Sequence, residues 1–206
     1  MQGLRTRFHD TIRDITRQMV ADAGLKSSTD DLSAYLGITP EGSAPRRPDM
    51  VVHGLGGQGG QPTLLDFTFS NPFCPSSLSR ATSGRIAVAR HSARLKIAKY
   101  AQAGYNPQAF PFIPLAGEFG GGLCDEWTAF IAALARHYTA TPSFERSGLT
   151  PAEGEARFKR WWGQVLSCTT ARHHFTFVRA LLDSSDRHHL LFQQPWGACS
   201  AACLLY

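Results

Sequence analysis

The chain of 206 residues is 43% hydrophobic and 18% charged, a balance that is typical of a folded domain and not of a disordered chain. Its longest apolar runs are far shorter than the roughly 18 residues that a membrane span needs, so we expect a soluble protein with no membrane partner. The 21 Lys and Arg residues outnumber the 16 Asp and Glu residues by five.

This positive charge is concentrated in one part of the sequence. Residues 68–117 contain six bases and no acid, whereas bases and acids nearly balance on both sides of that window. The pattern favours a surface that faces a polyanion, and a solvated helix face is the alternative. The six bases are Arg80, Arg85, Arg90, Arg94, Lys96 and Lys99.

The first predicted element is a helix over residues 5–23, where apolar side chains recur every three or four positions until Gly24. Residues 26–47 are polar and contain glycines and prolines, so we expect at most a short helical turn at 31–35. Two strands follow, at 50–53 and 63–69, separated by a glycine-rich connection. This arrangement predicts an antiparallel hairpin.

The second half of the sequence is mainly helical. It predicts helices over 85–103, 123–138, 150–171 and 175–182, and a third strand over 110–115 whose prolines favour a sheet edge. We therefore expect an α/β or α+β fold in which a small mixed sheet is flanked by helices. The expected parts are a core over 5–139, a C-terminal helical extension over 150–182, and a poorly ordered tail over 183–206.

Two aspartates lie where the hairpin brings its strands together. Asp49 precedes the first strand, within RRPDMVV, and Asp66 lies inside the second, within LLDFTF. Because neighbouring strands are only about 4.8 Å apart, the two carboxylates can lie side by side. A cation would relieve their repulsion, and carboxylate oxygens favour Mg²⁺ or Mn²⁺. The structural alternative has Asp49 capping a turn and Asp66 paired with an arginine.

A lysine on the next helix extends this arrangement. Lys96 falls at the margin of the apolar stripe of the helix, whereas Lys99 points further out. If the stripe packs on the hairpin, Lys96 can reach the carboxylates; otherwise it is an ordinary surface lysine. Two acids, one lysine and a basic surface suit metal-assisted hydrolysis of a phosphodiester. The stripe consists of Ile86, Ala89, Ala93, Ile97 and Tyr100.

The series Arg-Pro-Asp, Asp-x-Thr on a strand, KIAKY on a helix and PFIPL resembles the restriction-endonuclease-like PD-(D/E)xK nuclease domain. More narrowly, it is similar to the version at the C-terminal end of some non-LTR retrotransposon reverse transcriptases, and the similarity extends over roughly residues 8–182. The resemblance implies a restriction-endonuclease-like fold and a Mg²⁺-dependent enzyme that nicks target DNA. Asp49 and Asp66 would be its metal ligands.

This sequence departs from the family pattern at two points. Thr68 occupies the position of the usual lysine, so that role would move to Lys96 or Lys99, as in the retroelement branch. The nearest candidates for the family's further acidic residue, usually a glutamate, are Asp30 and Asp31, and Asp31 is our candidate for a third metal ligand. The residues that we expect to contact nucleic acid, mainly through its phosphates, are Arg47, Arg90, Arg94 and Tyr100.

The leading hypothesis is therefore a metal-dependent DNA endonuclease, which a reverse transcriptase module could accompany in a longer parent chain. The alternatives are a nucleic-acid-binding remnant that no longer cleaves, and a basic helical module that binds an acidic protein. The five cysteines are an odd number, and no apolar leader opens the sequence. We therefore expect a reducing intracellular location, nuclear if the organism is eukaryotic.

Overall fold

The structure is a computed structural model that describes residues 2–29, 48–56, 61–102, 105 and 110–186. The predicted turn at 31–35 and most of the predicted tail lie outside these residues. In chain order the elements are α1 (Gln2–Asp22), β1 (Lys26–Ser28), β2 (Met50–His53), β3 (Thr63–Ser70), α2 (Pro75–Ala81), α3 (Ala87–Gln102), β4 (Phe112–Glu118), α4 (Asp125–Tyr138), α5 (Pro142–Glu145) and α6 (Pro151–Asp186).

The four strands form one mixed sheet in the order β1-β2-β3-β4. β1 and β3 both pair with β2 in antiparallel fashion, and β4 pairs with β3 in parallel. The connection between the two parallel strands contains α3, as a parallel pair requires. The expectation of a small mixed sheet flanked by helices is confirmed, and Pro114 of β4 lies on an edge strand, where a missing N–H is tolerated.

The main core lies on the sheet face that carries Leu65 and Phe67 of β3. Residues of α1, α4 and α6 pack there, and the indole of Trp127 is completely buried. The opposite face carries Leu64 and Asp66, as expected from the alternation of side chains along a strand. There Val51 and Leu64 form a smaller apolar cluster with Phe112.

The helix ends follow from local sequence. Gly24 ends α1 with a φ of +75°, and the N–H of Leu25 closes the helix by donating to the carbonyl of Val20. Thr150 and Glu153 form a capping box at the start of α6. The carboxylate of Glu153 accepts from the backbone N–H of Thr150 at 2.9 Å, and the hydroxyl of Thr150 accepts from the N–H of Glu153 at 3.4 Å.

Several expectations about the elements were wrong. β1, α2 and α5 occur where we predicted loops. α3 begins at Ala87 and not at residue 85, because Ile86 has a φ of +54°, which no helix accommodates. The two predicted C-terminal helices are one continuous α6. Its residues Phe158, Trp162 and Leu166 belong to the main core.

Among the described residues, no helix combines the length and apolar character that crossing a membrane would require.

The sheet leaves no room for a side chain at Gly117 of β4. A Cβ atom there would lie 2.3 Å from the ring of Phe69, and that ring is held against Phe8 with 4.7 Å between centroids. We expect Gly117→Ala to lower the free energy of unfolding by about 1–3 kcal/mol through overpacking. Urea denaturation followed by circular dichroism measures the change.

Gly163, inside α6, is the matched control because a Cβ atom there would meet nothing within 4 Å. Gly163→Ala should raise the free energy of unfolding by up to about 1 kcal/mol through helix propensity. Equal effects of the two substitutions would contradict the packing described around Phe69.

Candidate active site

The hairpin register places the two predicted aspartates opposite each other. Met50 pairs with Leu65, so the next position along the hairpin sets Asp49 against Asp66. The backbone N–H of Asp49 donates to the carbonyl of Leu65 at 2.8 Å. The two carboxyl groups are hydrogen-bonded to each other. The sequence prediction that these two acids lie side by side is confirmed.

Asp66 is the more deeply buried of the two acids, with 4% of the residue exposed. Burial raises the pKa of its carboxyl group to about 7; the charge of Lys96 opposes this effect and the charge of Asp49 reinforces it. Below that pH the protonated Asp66 can donate the hydrogen bond that joins the two carboxyl groups. The pair therefore avoids placing two full negative charges in contact.

Lys96 of α3 supplies the positive charge of the site. Its ammonium nitrogen lies 2.8 Å and 2.9 Å from the two carboxylate oxygens of Asp66. Ser92, one turn earlier, contacts Ser70 of β3 through their hydroxyl groups at 2.7 Å. Four residues advance a strand by about 13 Å but a helix by only about 6 Å. The long side chain of Lys96 spans this difference.

Glu118 at the end of β4 fixes the start of α3. Its carboxylate accepts from the backbone N–H groups of Val88 and Ala89, at 3.0 Å and 3.1 Å. These N–H groups have no partner within the helix, and a negative charge is favourable at this end. Glu118 therefore helps to set the orientation of the helix that carries Lys96.

His9 of α1 completes the site from the other side of the sheet. Its Nε2 atom lies 3.1 Å from Oδ2 of Asp49, which also accepts from the backbone N–H of Phe67 at 2.6 Å. The hydrogen bond to Asp49 raises the pKa of His9, against the opposite effect of burial. Burial alone would raise the pKa of Asp49, but its hydrogen bonds, that from His9 foremost, hold it below its usual value.

The sequence did not identify His9 or Glu118 as site residues. His9 lies on the flank of the first predicted helix, and helical periodicity does not reveal which segment of the chain will face it. Glu118 ends a strand that we had predicted to stop at residue 115. A signal for Glu118 existed, since it is the first acid after the acid-free window of residues 68–117.

The remaining predicted site residues are not gathered at the carboxylates. Lys99 and Arg94 are exposed on α3. Arg90 is exposed but pairs with Asp125, with 2.9 Å between Nε and Oδ2. Tyr100 cannot present its ring to a nucleic acid, because only 3% of it is exposed and it stacks on Phe112. Its assignment as a nucleic-acid contact was wrong.

The apolar stripe of α3 also differs from the prediction. Ile97 is 48% exposed, and Lys96 takes the position that faces the sheet between Ala93 and Tyr100. The stripe at positions 89, 93, 96 and 100 has ideal helical spacing. Because Ile97 is hydrophobic, the sequence pattern assigned Ile97 to this stripe in place of Lys96.

Two carboxylates are the oxygen donors that this site offers to a cation. Mg²⁺ in proteins is typically held by one or two carboxylates and completed by waters and substrate phosphates. The direct contact of Asp49 with Asp66 fits such a cation in donor type and number. Among the residues that the structure describes, no group of three or more His, Cys, Asp or Glu side chains could hold a metal ion. Asp31, the predicted third ligand, and Arg47 lie outside the described residues.

The fold and the site together define a mixed α/β protein with two paired carboxyl groups and a lysine at the end of a β-hairpin. No protein-family model, no curated protein and no solved structure matches the chain.

The raised pKa values of Asp66 and His9 predict that stability falls as the pH rises from 5 to 8. A group whose pKa is higher in the folded state holds its proton more tightly there, so its contribution is lost as the pH rises through the folded pKa. For Asp66 the loss extends from its usual value near 4 to about 7. Unfolding temperatures measured across this range should decrease, and they should decrease less in Asp66→Asn.

The comparison with Asp66→Asn is needed because His91 and His173 have pKa values lowered by burial, which act in the opposite direction. The difference between the two proteins should amount to at least about 1 kcal/mol over the range, since one pKa unit corresponds to about 1.4 kcal/mol. Parallel curves for the two proteins would contradict the raised pKa of Asp66.

Replacement of Lys96 should destabilise the fold because it leaves Asp66 buried without its cation. We expect Lys96→Met to lower the free energy of unfolding by about 1–3 kcal/mol at pH 8. The loss should be smaller at pH 5, where Asp66 is protonated. Lys99→Met is the matched control, and as an exposed substitution on the same helix it should stay within about 0.5 kcal/mol of wild type. Urea denaturation at both pH values measures these changes. Equal stability of Lys96→Met and Lys99→Met would refute the ion pair between Lys96 and Asp66.

Proposed function

We propose that the protein is a metal-dependent endonuclease that hydrolyses phosphodiester bonds of DNA. The observation that carries this proposal is the contact of Asp49 with Asp66, together with the ammonium of Lys96 on Asp66. Asp49 immediately precedes β2, Asp66 lies in β3 and Lys96 lies in α3. The same three groups underlie the resemblance to PD-(D/E)xK nucleases, which supports the proposal.

Asp49 and Asp66 are the residues that would hold Mg²⁺ or Mn²⁺. Such a cation, when bound, would polarise the phosphate and lower the pKa of a water molecule. Hydrolysis adds that water across one P–O bond and leaves a phosphate monoester end and a hydroxyl end.

The residues of the chain have distinct roles in this reaction. Lys96 would donate to a phosphate oxygen and stabilise the negative charge that develops there, which is the largest contribution to many hydrolytic reactions. Its amine is already directed at the site by its contact with Asp66. His9 holds Asp49 through the 3.1 Å contact, so it acts as a positioning residue for that carboxylate.

The surface beside the site suits a polyanion. Arg94 and Lys99 are exposed on the same helix as Lys96. They lie in the window of residues 68–117, which has no acid. Contacts of this kind are made to phosphates and carry no sequence information. Binding should therefore be weakened by salt.

A nucleic-acid-binding protein that has lost cleavage is the second candidate. It is favoured by the position of the Lys96 ammonium, which engages both carboxylate oxygens of Asp66 at 2.8 Å and 2.9 Å. A purely structural ion pair would have the same geometry. The two candidates share the basic surface and differ in whether DNA is cut.

Nicking of supercoiled plasmid in the presence of Mg²⁺ or Mn²⁺ tests the proposal. We expect the wild-type protein to convert the plasmid to the open circular form. Asp49→Asn, Asp66→Asn and Lys96→Met should each lower the rate by about 100-fold or more, since each removes a group from the reacting centre. The rate should fall by a few-fold at most in Lys99→Met, because Lys99 is exposed and outside the site.

Equal nicking by the wild-type protein and by all three site variants would identify a contaminating nuclease and refute the catalytic assignment. DNA retention without nicking under either cation would favour the second candidate. A wild-type protein that does not shift DNA at low salt would refute both.

A further inference from the structure

An exposed row of aromatic rings lies on the surface at the end of β3. Phe73 and Phe175 are 67% and 72% exposed. The ring of His174 lies between them, with centroid distances of 6.1 Å to Phe73 and 6.3 Å to Phe175. Large apolar side chains that are exposed together mark an interaction surface more often than isolated ones do. We call Phe73, His174 and Phe175 the ring row.

The ring row is linked to the core through further aromatic residues, of which Phe119 is partly buried and Phe8 is buried. His174 stacks on Phe119 with 6.4 Å between centroids. Phe119 in turn contacts Phe8, which lies 4.8 Å from the ring of His173. The exposed rings are therefore attached to the core of the protein. A preformed surface of this kind loses little conformational entropy when it binds a partner.

The two sequence segments that form the ring row have no acidic residues. Phe73 belongs to the window 68–117, with six bases and no acid. Phe175 belongs to the part of α6 between Glu155 and Asp183, which contains five bases and no acid. Glu118 lies nearby, but it accepts two hydrogen bonds at the start of α3. The charge around the exposed rings therefore favours a polyanionic partner.

Strand β3 joins the paired carboxyl groups to the ring row, because Phe73 follows the last residue of the strand, Ser70, by three positions. From Asp66 to Ser70 the strand is about 13 Å long. At 3.4 Å per stacked nucleotide, that length corresponds to about four nucleotides. α1 follows this part of β3 as well, with His9 at Asp49 and Phe8 against Phe69.

We propose that the ring row binds unpaired bases of the DNA whose backbone enters the site at Asp49 and Asp66. Exposed phenyl rings among positive charges are the usual means of holding a single strand, since every base has a face that can stack. The substrate would then be DNA with a single-stranded segment beside the scissile phosphate. This inference rests on the proposed function for the position of the cut, but the binding it describes can be measured without any cleavage.

The test measures binding to a fluorescein-labelled oligothymidylate and to the corresponding duplex, by fluorescence anisotropy without divalent cations. We expect Phe73→Ala and Phe175→Ala to weaken oligothymidylate binding about 10-fold each, because stacking on one base contributes about 1–3 kcal/mol. The double variant should lose about 100-fold. Duplex binding should change less than about 3-fold, since stacked base pairs do not offer their faces to a side chain.

Trp161→Ala is the matched control. Trp161 is 60% exposed on the same helix, but it lies 14 residues, or about 21 Å, before Phe175 along α6. This variant should bind both probes as the wild-type protein does. A second pair of substitutions, Phe73→Leu with Phe175→Leu, keeps the apolar volume and removes only the aromatic faces, so it should bind oligothymidylate about as weakly as the alanine pair.

Wild-type affinity of the alanine pair for oligothymidylate would overturn the proposal, and so would an equal loss for both probes. Restored binding in the leucine pair would show that the patch is an apolar interface and not a stacking surface. A wild-type dimer that the alanine pair dissociates would assign the patch to a second copy of the chain. Failure of plasmid nicking with intact single-strand binding would refute only the proposed enzyme activity.

Discussion

The burial of one carboxyl group within an apolar strand is the constraint on which the site depends. Asp66 occupies a position of β3 between Leu65 and Phe67, and these two side chains and that of Leu64 are buried. An uncompensated charge there would cost several kcal/mol. The structure compensates it with the ammonium of Lys96 and a hydrogen bond to Asp49. The orientation of α3 and the hairpin register both follow from meeting this requirement.

The sequence was sufficient for the hairpin and for its pair of acids, because strand alternation has a period of two. Once Leu65 is assigned to the core, Asp66 must face the other way, and the pairing of Met50 with Leu65 sets Asp49 opposite Asp66. The contact of Lys96 was predictable for a similar reason. Its position at the margin of a helical stripe required only a small rotation of the helix to face the sheet. Strand alternation and helical spacing place these groups together, but they carry no information about cleavage of DNA.

Other features depend on contacts between distant segments, which periodicity does not reveal. His9 meets Asp49 across forty residues of sequence, and the cap that Glu118 provides to α3 joins the end of one strand to a helix that precedes it. The continuity of α6 was missed because its C-terminal half lacks a clear apolar stripe. Tyr100 was expected both to belong to the apolar stripe of its helix and to contact nucleic acid, because an aromatic ring beside basic residues occurs in binding sites as well as in cores.

The composition of the site argues for a role beyond stability. Replacement of a buried ion pair by apolar side chains is often neutral or stabilising. The stability of the fold alone therefore does not explain why Asp49, Asp66, Lys96 and His9 lie together. The pKa values of Asp49, Asp66 and His9 are shifted, and groups with shifted pKa values cluster at functional sites. The four groups also come from four separate segments, namely α1, the residue before β2, β3 and α3, which the fold brings together at one point.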